Sequence, residues 1–382
     1  MASSSVTRSF VETPGAAGLN RTIWPGFSVP VPMVAAQSQS GGGVIAGGTF
    51  STTGHMQLIS VAVSASASSA NSMMSVKVSV DDASLGSLEF FASSASSKLV
   101  LTPRRFLAFL RSGAHTVTLT AGSGTATGTV DRAMVSVIDL GDNPELLRSF
   151  THVYGPYKDV PFFTRGGTVL LWVAGSGRSK TASQLTGASI QVDGAEVAQL
   201  QVFANAAETR LELVPAQVLR TNLDPGDHTL RVVPTSATTI DANDRWAVEI
   251  LELTAPPQVL SVSSPIQNVA CINQNGGQTV ASGTFSTSGG LVLLRAMASA
   301  WARASSSPLN LTVRVDGVSS GTVSGYTSAG TFHMPLVPAD ILLTSLAPGS
   351  HQVALIADPA TVTDGNDRCS VSILELARTM PK

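Results

Sequence analysis

The stretches "GAHTVTLTA" (113–121), "GDHTLRVVP" (226–234) and "GSHQVALIA" (349–357) repeat one pattern: a glycine, a spacer, a histidine and then alternating apolar positions. Sixteen residues after each histidine an Asp-Arg pair leads a second alternating run, "DRAMVSVIDL" from Asp131, "DRWAVEILEL" from Asp244 and "DRCSVSILEL" from Asp367. Equal spacings in three places mean one fold encoded three times. The periods of 113 and 123 residues are those of whole domains, not of solenoid units.

The copies extend upstream. Pro103, Pro215 and Pro338 precede the histidines by 12, 13 and 13 residues, each followed by a short apolar segment. Proline lacks an amide donor, so it suits the start of a single helical turn there. Earlier, "VSVDDASLGSLEF", "IQVDGAEVAQLQVF" and "VRVDGVSSGTVSGY" alternate on both sides of Asp81, Asp193 and Asp316. Asp-Gly between two alternating runs signals a tight hairpin, because a primed turn needs positive φ at both central residues. Each copy opens with a strand, "GTFSTTGHMQLISVAVSA", "RGGTVLLWVAGSG" or "GTFSTSGGLVLLRAMASA". The modules are expected at 27–140, 150–253 and 259–376, joined by the turn-forming linkers "GDNPELLRS" and "TAPPQ" and preceded by an arm, 1–26. Roughly eight short strands per module, with period 2 and almost no 3.6-residue periodicity, predict an all-β chain of three tandem antiparallel sandwiches.

A chain of 382 residues exceeds one core, in keeping with several domains. Charged residues are 13% of the total and the net charge is −2, so no broad field attracts a phosphate backbone or an anionic lipid surface. Nucleic acid and membrane are therefore not expected as partners. The most apolar run, "GLVLLRAMASAW", is short and carries Arg295, and the first residues lack the apolar stretch of a secretion signal.

The "G-x-H-T-V-x-L" run and the terminal "R-x-x-V-x-I-L-E-L" strand resemble the closing half of jelly-roll domains in bacteriophage virion proteins. Those domains are similar in turn to the tumour-necrosis-factor and complement type of jelly roll. The resemblance extends to the opening "GTFSTSGGLVLL". It implies three tandem jelly-roll β-sandwich domains in a tail, baseplate or capsid-decoration component of a virion, assembled in the host cytoplasm. Other virion proteins are the expected partners, with adhesion to a host-surface glycan as an additional role. Such domains often form trimers with one module per subunit. Three modules in one chain point either to an oligomer or to a pseudo-threefold cluster built by a single chain.

The candidate sites follow from the repeats. A histidine behind a turn glycine in every copy reads as architecture: a ring nitrogen of His115, His228 and His351 is expected to bond a nearby backbone carbonyl. The Asp of each Asp-Arg pair is expected to cap a turn while the Arg covers the sandwich end. "DAND" (241–244) and "DGND" (364–367) lack the spacing of a calcium loop, and the first module has "TGTV" there, so no metal or cofactor is expected. Trp172 aligns with Ser60 and Arg295, which sets it on the outward side of its strand as a candidate surface contact for a sugar, another module or another subunit. Trp24, in the arm, is the second such candidate, whereas Trp246 shares the parity of Val248 and Ile250 and belongs in the core. Cys271 and Cys369 lie in the first and last strands of the third module, where a disulfide is geometrically open; assembly in reducing cytosol favours free thiols. No nucleophile elbow, metalloprotease motif or phosphate loop occurs, so an enzyme is not expected. The alternatives are a secreted carbohydrate-binding protein and, behind it, a glycan hydrolase.

Overall fold

The computed structural model describes residues 27–139, 145–154, 159–253 and 259–376, except 96 and 273. The arm and Trp24 lie outside the described residues, as do Leu140 at the end of the first module and 141–144 and 254–258 of the linkers. Twenty-four longer strands and eight segments of two or three residues make up the described secondary structure, which contains no helix. The first sandwich holds β1 (Phe27–Ala35), β2 (Val44–Thr53), β3 (Met56–Ala67), β4 (Ser72–Val80), β5 (Ala83–Ala92), β6 (Arg104–Phe109), β7 (Ser112–Ala121) and β8 (Arg132–Asp139). The second holds β9 (Glu145–Tyr154), β10 (Val160–Thr164), β11 (Gly167–Ser179), β12 (Gln184–Val192), β13 (Ala195–Ala204), β14 (Ala216–Leu223), β15 (Gly226–Pro234) and β16 (Arg245–Leu253). The third holds β17 (Val259–Ala270), β18 (Thr279–Thr287), β19 (Leu291–Ala300), β20 (Ser307–Val315), β21 (Val318–Thr327), β22 (Ala339–Leu343), β23 (Gly349–Ala357) and β24 (Arg368–Leu376). β9 begins at Glu145, inside the stretch expected as linker.

Each sandwich has the same two antiparallel sheets. In the first, one sheet runs β1-β8-β3-β6 and the other β2-β7-β4-β5. The second and third repeat both orders strand for strand. This arrangement, with the first and last strands side by side, is that of a jelly roll.

Local chemistry explains the turns. Asp81 and Asp82, Asp193 and Gly194, and Asp316 and Gly317 all have positive φ, between 48° and 79°, as the hairpin signal requires. The segments after Pro103, Pro215 and Pro338 are not helical turns but the strands β6, β14 and β22. Their side chains alternate: Phe106 enters the core of the first sandwich while Leu107 leaves it for another cluster. That period of two outweighs a single proline, whose missing amide is harmless just ahead of a strand.

Three separate cores fill the spaces between the sheets. Trp246 is fully buried in the second, as its parity requires. Its cross-strand partner is Gly175, where a Cβ would lie 2.3 Å from the indole. Val63 opposite Ala133 and Ala298 opposite Cys369 fill the same place in the other copies. A large residue on one strand is offset by the smallest on its neighbour.

The other face of the Trp-bearing sheet, the outward side on which Trp172 was expected, is buried as well. β3 and β19 are buried along almost their whole length. Residues from all three sandwiches share one apolar cluster on that side.

Candidate functional site

The three sandwiches meet through equivalent positions. Leu58, Leu170 and Leu293 form a first layer, each flanked in its own sheet by a leucine (Leu107, Leu219, Leu342) and by Ile138, Leu251 or Leu374. All of these side chains pack in the shared cluster.

Two residues further along the strands the second layer is polar. Ser60 is flanked by Arg105 and Ser136, Trp172 by Gln217 and Glu249, and Arg295 by Asp340 and Ser372. Trp172 is 2% exposed, and of the contacts expected for it, with a sugar, another module or another subunit, the structure places it against the other modules. It does point away from its own core, and the space it enters is closed by the neighbouring sandwiches. The guanidinium of Arg105, from the first sandwich, lies 4.5 Å from the indole centroid, and that of Arg295, from the third, lies 4.6 Å from it. Arg105 donates to Gln217 and, through its backbone amide, to Glu249 at 3.1 Å. Arg295 pairs with Asp340, which also accepts from Ser136 of the first sandwich. Two cations therefore balance two carboxylates in a layer closed to water. Burial, with the nearby Arg295 charge, pushes Arg105 down to about 9. Burial pushes Glu249 up to about 7 despite Arg105 beside it. Burial also opposes the charge on Asp340, but Arg295 outweighs it and holds that carboxyl below its ordinary value.

In the third layer Ala62, Ala174 and Met297 lie among small and apolar neighbours, including Val214 and Val337. Arg105, Gln217, Glu249 and Asp340 were not singled out from the sequence. For Arg105, Gln217 and Asp340 the signal was present in "PRR", "PAQ" and "PAD", where a polar residue interrupts an apolar alternation at one fixed position.

The Asp-Arg pairs divide their work. Asp131, Asp244 and Asp367 are fully buried. Each accepts a turn amide, from Gly128 at 2.8 Å, Asp241 at 2.7 Å and Asp364 at 3.0 Å, which is the turn cap the sequence suggested. Each also meets a basic side chain four residues before Thr102, Val214 or Val337: Lys98 at 2.7 Å, Arg210, and His333 at 3.0 Å. Burial raises all three carboxyls, and the basic partner offsets part of that rise. The arginine reaches the preceding sandwich in two copies: Arg245 Nε donates to Glu89 at 3.0 Å and Arg368 Nε to Gln201 at 2.9 Å.

His333, Asp364 and Asp367 bring one ring nitrogen and two carboxylate oxygens within 4.8 Å of one another. The geometry suits a hydrogen bond between His333 and Asp367 better than a metal. Nδ1 of His333 faces Asp367 while Nε2 faces Asp364, so the carboxylates sit at different ring nitrogens. Lysine and arginine hold the same place in the other copies.

His115, His228 and His351 repeat one lock. Nδ1 lies 2.6 Å from Asp81, Asp193 or Asp316, and Nε2 lies 2.8 Å from the carbonyl of Arg111, Asp224 or Ala347. The second carboxylate oxygen accepts the amide of Thr116, Thr229 or Gln352. The rings pack on Phe50, Phe162 and Phe285. A neutral imidazole has one N–H; with an acceptor at each nitrogen, both bonds form together only when the ring is protonated. Desolvation opposes that charge at His115 and His228, but the bonds to the aspartate and the carbonyl outweigh it; at His351 the Asp316 bond leads, and all three are raised above 6.5.

Cys271 and Cys369 form a disulfide, which corrects the expectation of free thiols. β17 and β24 pair side by side, with Val269 opposite Cys369, and that brings the sulfurs together. A narrow cleft between the second and third sandwiches, lined by Ala198, Gln199, Gln217, Gln267, Met297 and Ser370 among others, carries no titratable side chain.

The sequence matches no known family and no curated protein. Its fold is similar to that of a peptide-N(4)-(N-acetyl-β-D-glucosaminyl)asparagine amidase, at 10% identity and a TM-score of 0.35, over 63% of this chain and 98% of that one. A structure described as the triple jelly-roll fold and turret assembly of an archaeal virus matches at 12% identity and a TM-score of 0.24, over 93% and 91%. The tandem CBM22 domains of Paenibacillus barcinonensis Xyn10C match at 11% and 0.18, over 62% and 98%. At these scores the likenesses carry no argument about this chain. The chain is an all-β protein of jelly-roll sandwiches.

Proposed function

We propose that this chain is a non-enzymatic structural protein of a virion, a tail, baseplate or capsid-decoration component. In this reading a single polypeptide supplies a pseudo-threefold cluster of jelly rolls that elsewhere takes three subunits. The observation that carries it is the junction: one sheet of every sandwich is spent on contacts within the chain, and the histidines and buried aspartates hold turns. What remains outside are the three sheets built on β2, β10 and β18, with Lys77, Thr116, Arg231, Arg314 and Gln352 exposed on them. Such faces suit docking to neighbouring virion proteins, for which a specific contact buries about 1,200–2,000 Å² in total.

The test is electron microscopy of purified particles carrying an antibody label against the chain. Label at one repeated site on the particle is the expected result; a chain lost from washed particles would overturn the assignment. One observation favours a second reading, a secreted carbohydrate-binding protein: the Cys271–Cys369 disulfide fits an oxidising compartment. With Trp172 buried, such a protein needs another sugar platform, and specific retention on a glycan array separates the two. Release of reducing ends from envelope material would instead mark a hydrolase.

A further inference from the structure

The seams between sandwiches are not equivalent. At the first–second seam Arg245 donates to Glu89, Phe91 lies 5.4 Å from the guanidinium of Arg210, and Thr102 donates to Glu212 at 2.7 Å. At the second–third seam Arg368 donates to Gln201, Phe203 packs edge-on to His333 at 4.7 Å, and Asn205 bonds the backbone of Thr331 and His333. By register the third–first seam should join Arg132 to Ser324, the counterpart of Glu89 and Gln201. Arg132 holds the same pose as the other two arginines, with Nη1 on the carbonyls of its own turn, Thr129, Val130 and Asp131. Serine is too short to meet it, and among the described residues no side-chain bond links Arg132 to the third sandwich. This seam keeps its share of the leucine cluster, the packing of β1 on β22, the Ser136–Asp340 bond and an apolar patch of Met33, Ala62, Val100, Met134 and Val337.

We infer that the cluster is built to open at the seam between the third and first sandwiches. Two physical differences converge there. The arginine latch is absent, and a charge-assisted bond of that kind changes an opening equilibrium by about tenfold or more. The other two seams also join sandwiches consecutive in the chain, whose short connection keeps separated faces at high effective concentration, whereas the first and third are joined only through the second. Opening exposes the Met33–Val337 patch and lifts Met33 off the core of the third sandwich. The inference rests on the seam chemistry and is independent of the virion reading.

Thr102, Val214 and Val337 occupy equivalent positions, one per seam, and all are buried. The experiment introduces one cysteine at a time, Val214→Cys or Val337→Cys, with Thr102→Cys as the third arm, in the full chain with its disulfide intact. Thiol labelling under native conditions is then timed. The expected result is labelling of V337C about tenfold faster than of V214C. Adding Ser324→Glu to V337C, which supplies the missing acceptor for Arg132, should slow labelling toward the V214C rate. If the glutamate variant fails to fold, Ser324→Gln, which copies the acceptor that Gln201 provides at the second–third seam, takes its place. Equal rates at the two valine positions, or faster labelling of V214C, overturn the inference. So does a V337C rate unchanged by the added acceptor.

Discussion

Trp172→Ala removes the residue on which the three sandwiches converge. The indole is buried among Ala174, Val214, Ala247 and Met297, with two guanidiniums about its ring. Truncating a buried tryptophan costs about 3–5 kcal/mol, and each desolvated cation–π contact adds about 1–2 kcal/mol. These contributions overlap, because the same indole supplies both, so the expected loss is on the order of 5 kcal/mol. All of it falls on the junction, since the side chain touches no sandwich core. Urea unfolding followed by far-ultraviolet circular dichroism should therefore show a lower first midpoint and a transition that separates into more than one step. Trp172→Phe, which keeps a ring in place, should fall between the variant and the parent. A single transition displaced by less than about 1 kcal/mol would refute the view that Trp172 couples the sandwiches.

Glu249→Gln should raise thermal stability at pH 8 and change little at pH 5. The folded carboxyl sits near 7 against an ordinary 4.5, so ionising it in the junction costs stability that is progressively lost as pH climbs through 7; a Tm profile with no pH dependence in the difference between variant and parent would contradict this. In the three Asp–His locks the histidines share that direction and the aspartates carry the opposite one. Each histidine is raised above 6.5, so its contribution is complete below that value and fades as pH rises through the folded value. Each aspartate is lowered below 3.8, so its contribution fades as pH falls through that lower value. With the aspartates about half exposed, screening leaves about 0.5 kcal/mol per lock, read as the Tm difference between the parent and the triple His→Gln variant at pH 5.5 and pH 9. Reducing Cys271–Cys369, which closes a 98-residue span, should cost about 4–5 kcal/mol confined to the third sandwich, visible by hydrogen exchange of β17 and β24. Gly175→Ala should destabilise the second sandwich, because the new Cβ meets the ring of Trp246, and the double variant Gly175→Ala with Trp246→Phe should recover part of the loss.

The sandwiches were legible because their signals are local. Period-two alternation marked the strands, Asp81, Asp193 and Asp316 marked hairpins by the φ they tolerate, and each histidine bonds a carbonyl only four residues away. The parity of Trp172 and Trp246 was equally plain, placing one outside its core and the other within. What the sequence did not show is where an outward side chain ends. Ser60, Trp172 and Arg295 differ so much in size and charge that the position resembles a solvated one; their variety instead reflects three different roles in one asymmetric layer. Arg105, Glu249 and Asp340 escaped notice for the same reason, since a buried charge is recognised by partners that lie more than forty residues distant. The prolines misled because one backbone preference was weighed ahead of the alternation that followed it. The disulfide turned on strand adjacency, which the sequence suggested, set against a compartment that it did not specify.

The most direct test of the account is small-angle X-ray scattering on the monomeric chain at several concentrations. Three sandwiches packed through their inner sheets predict a radius of gyration of about 21–24 Å, as for a compact protein of this length. A value near 30 Å, that of three domains strung in a line, would contradict the shared junction on which the structure, the proposed role and the opening seam all depend.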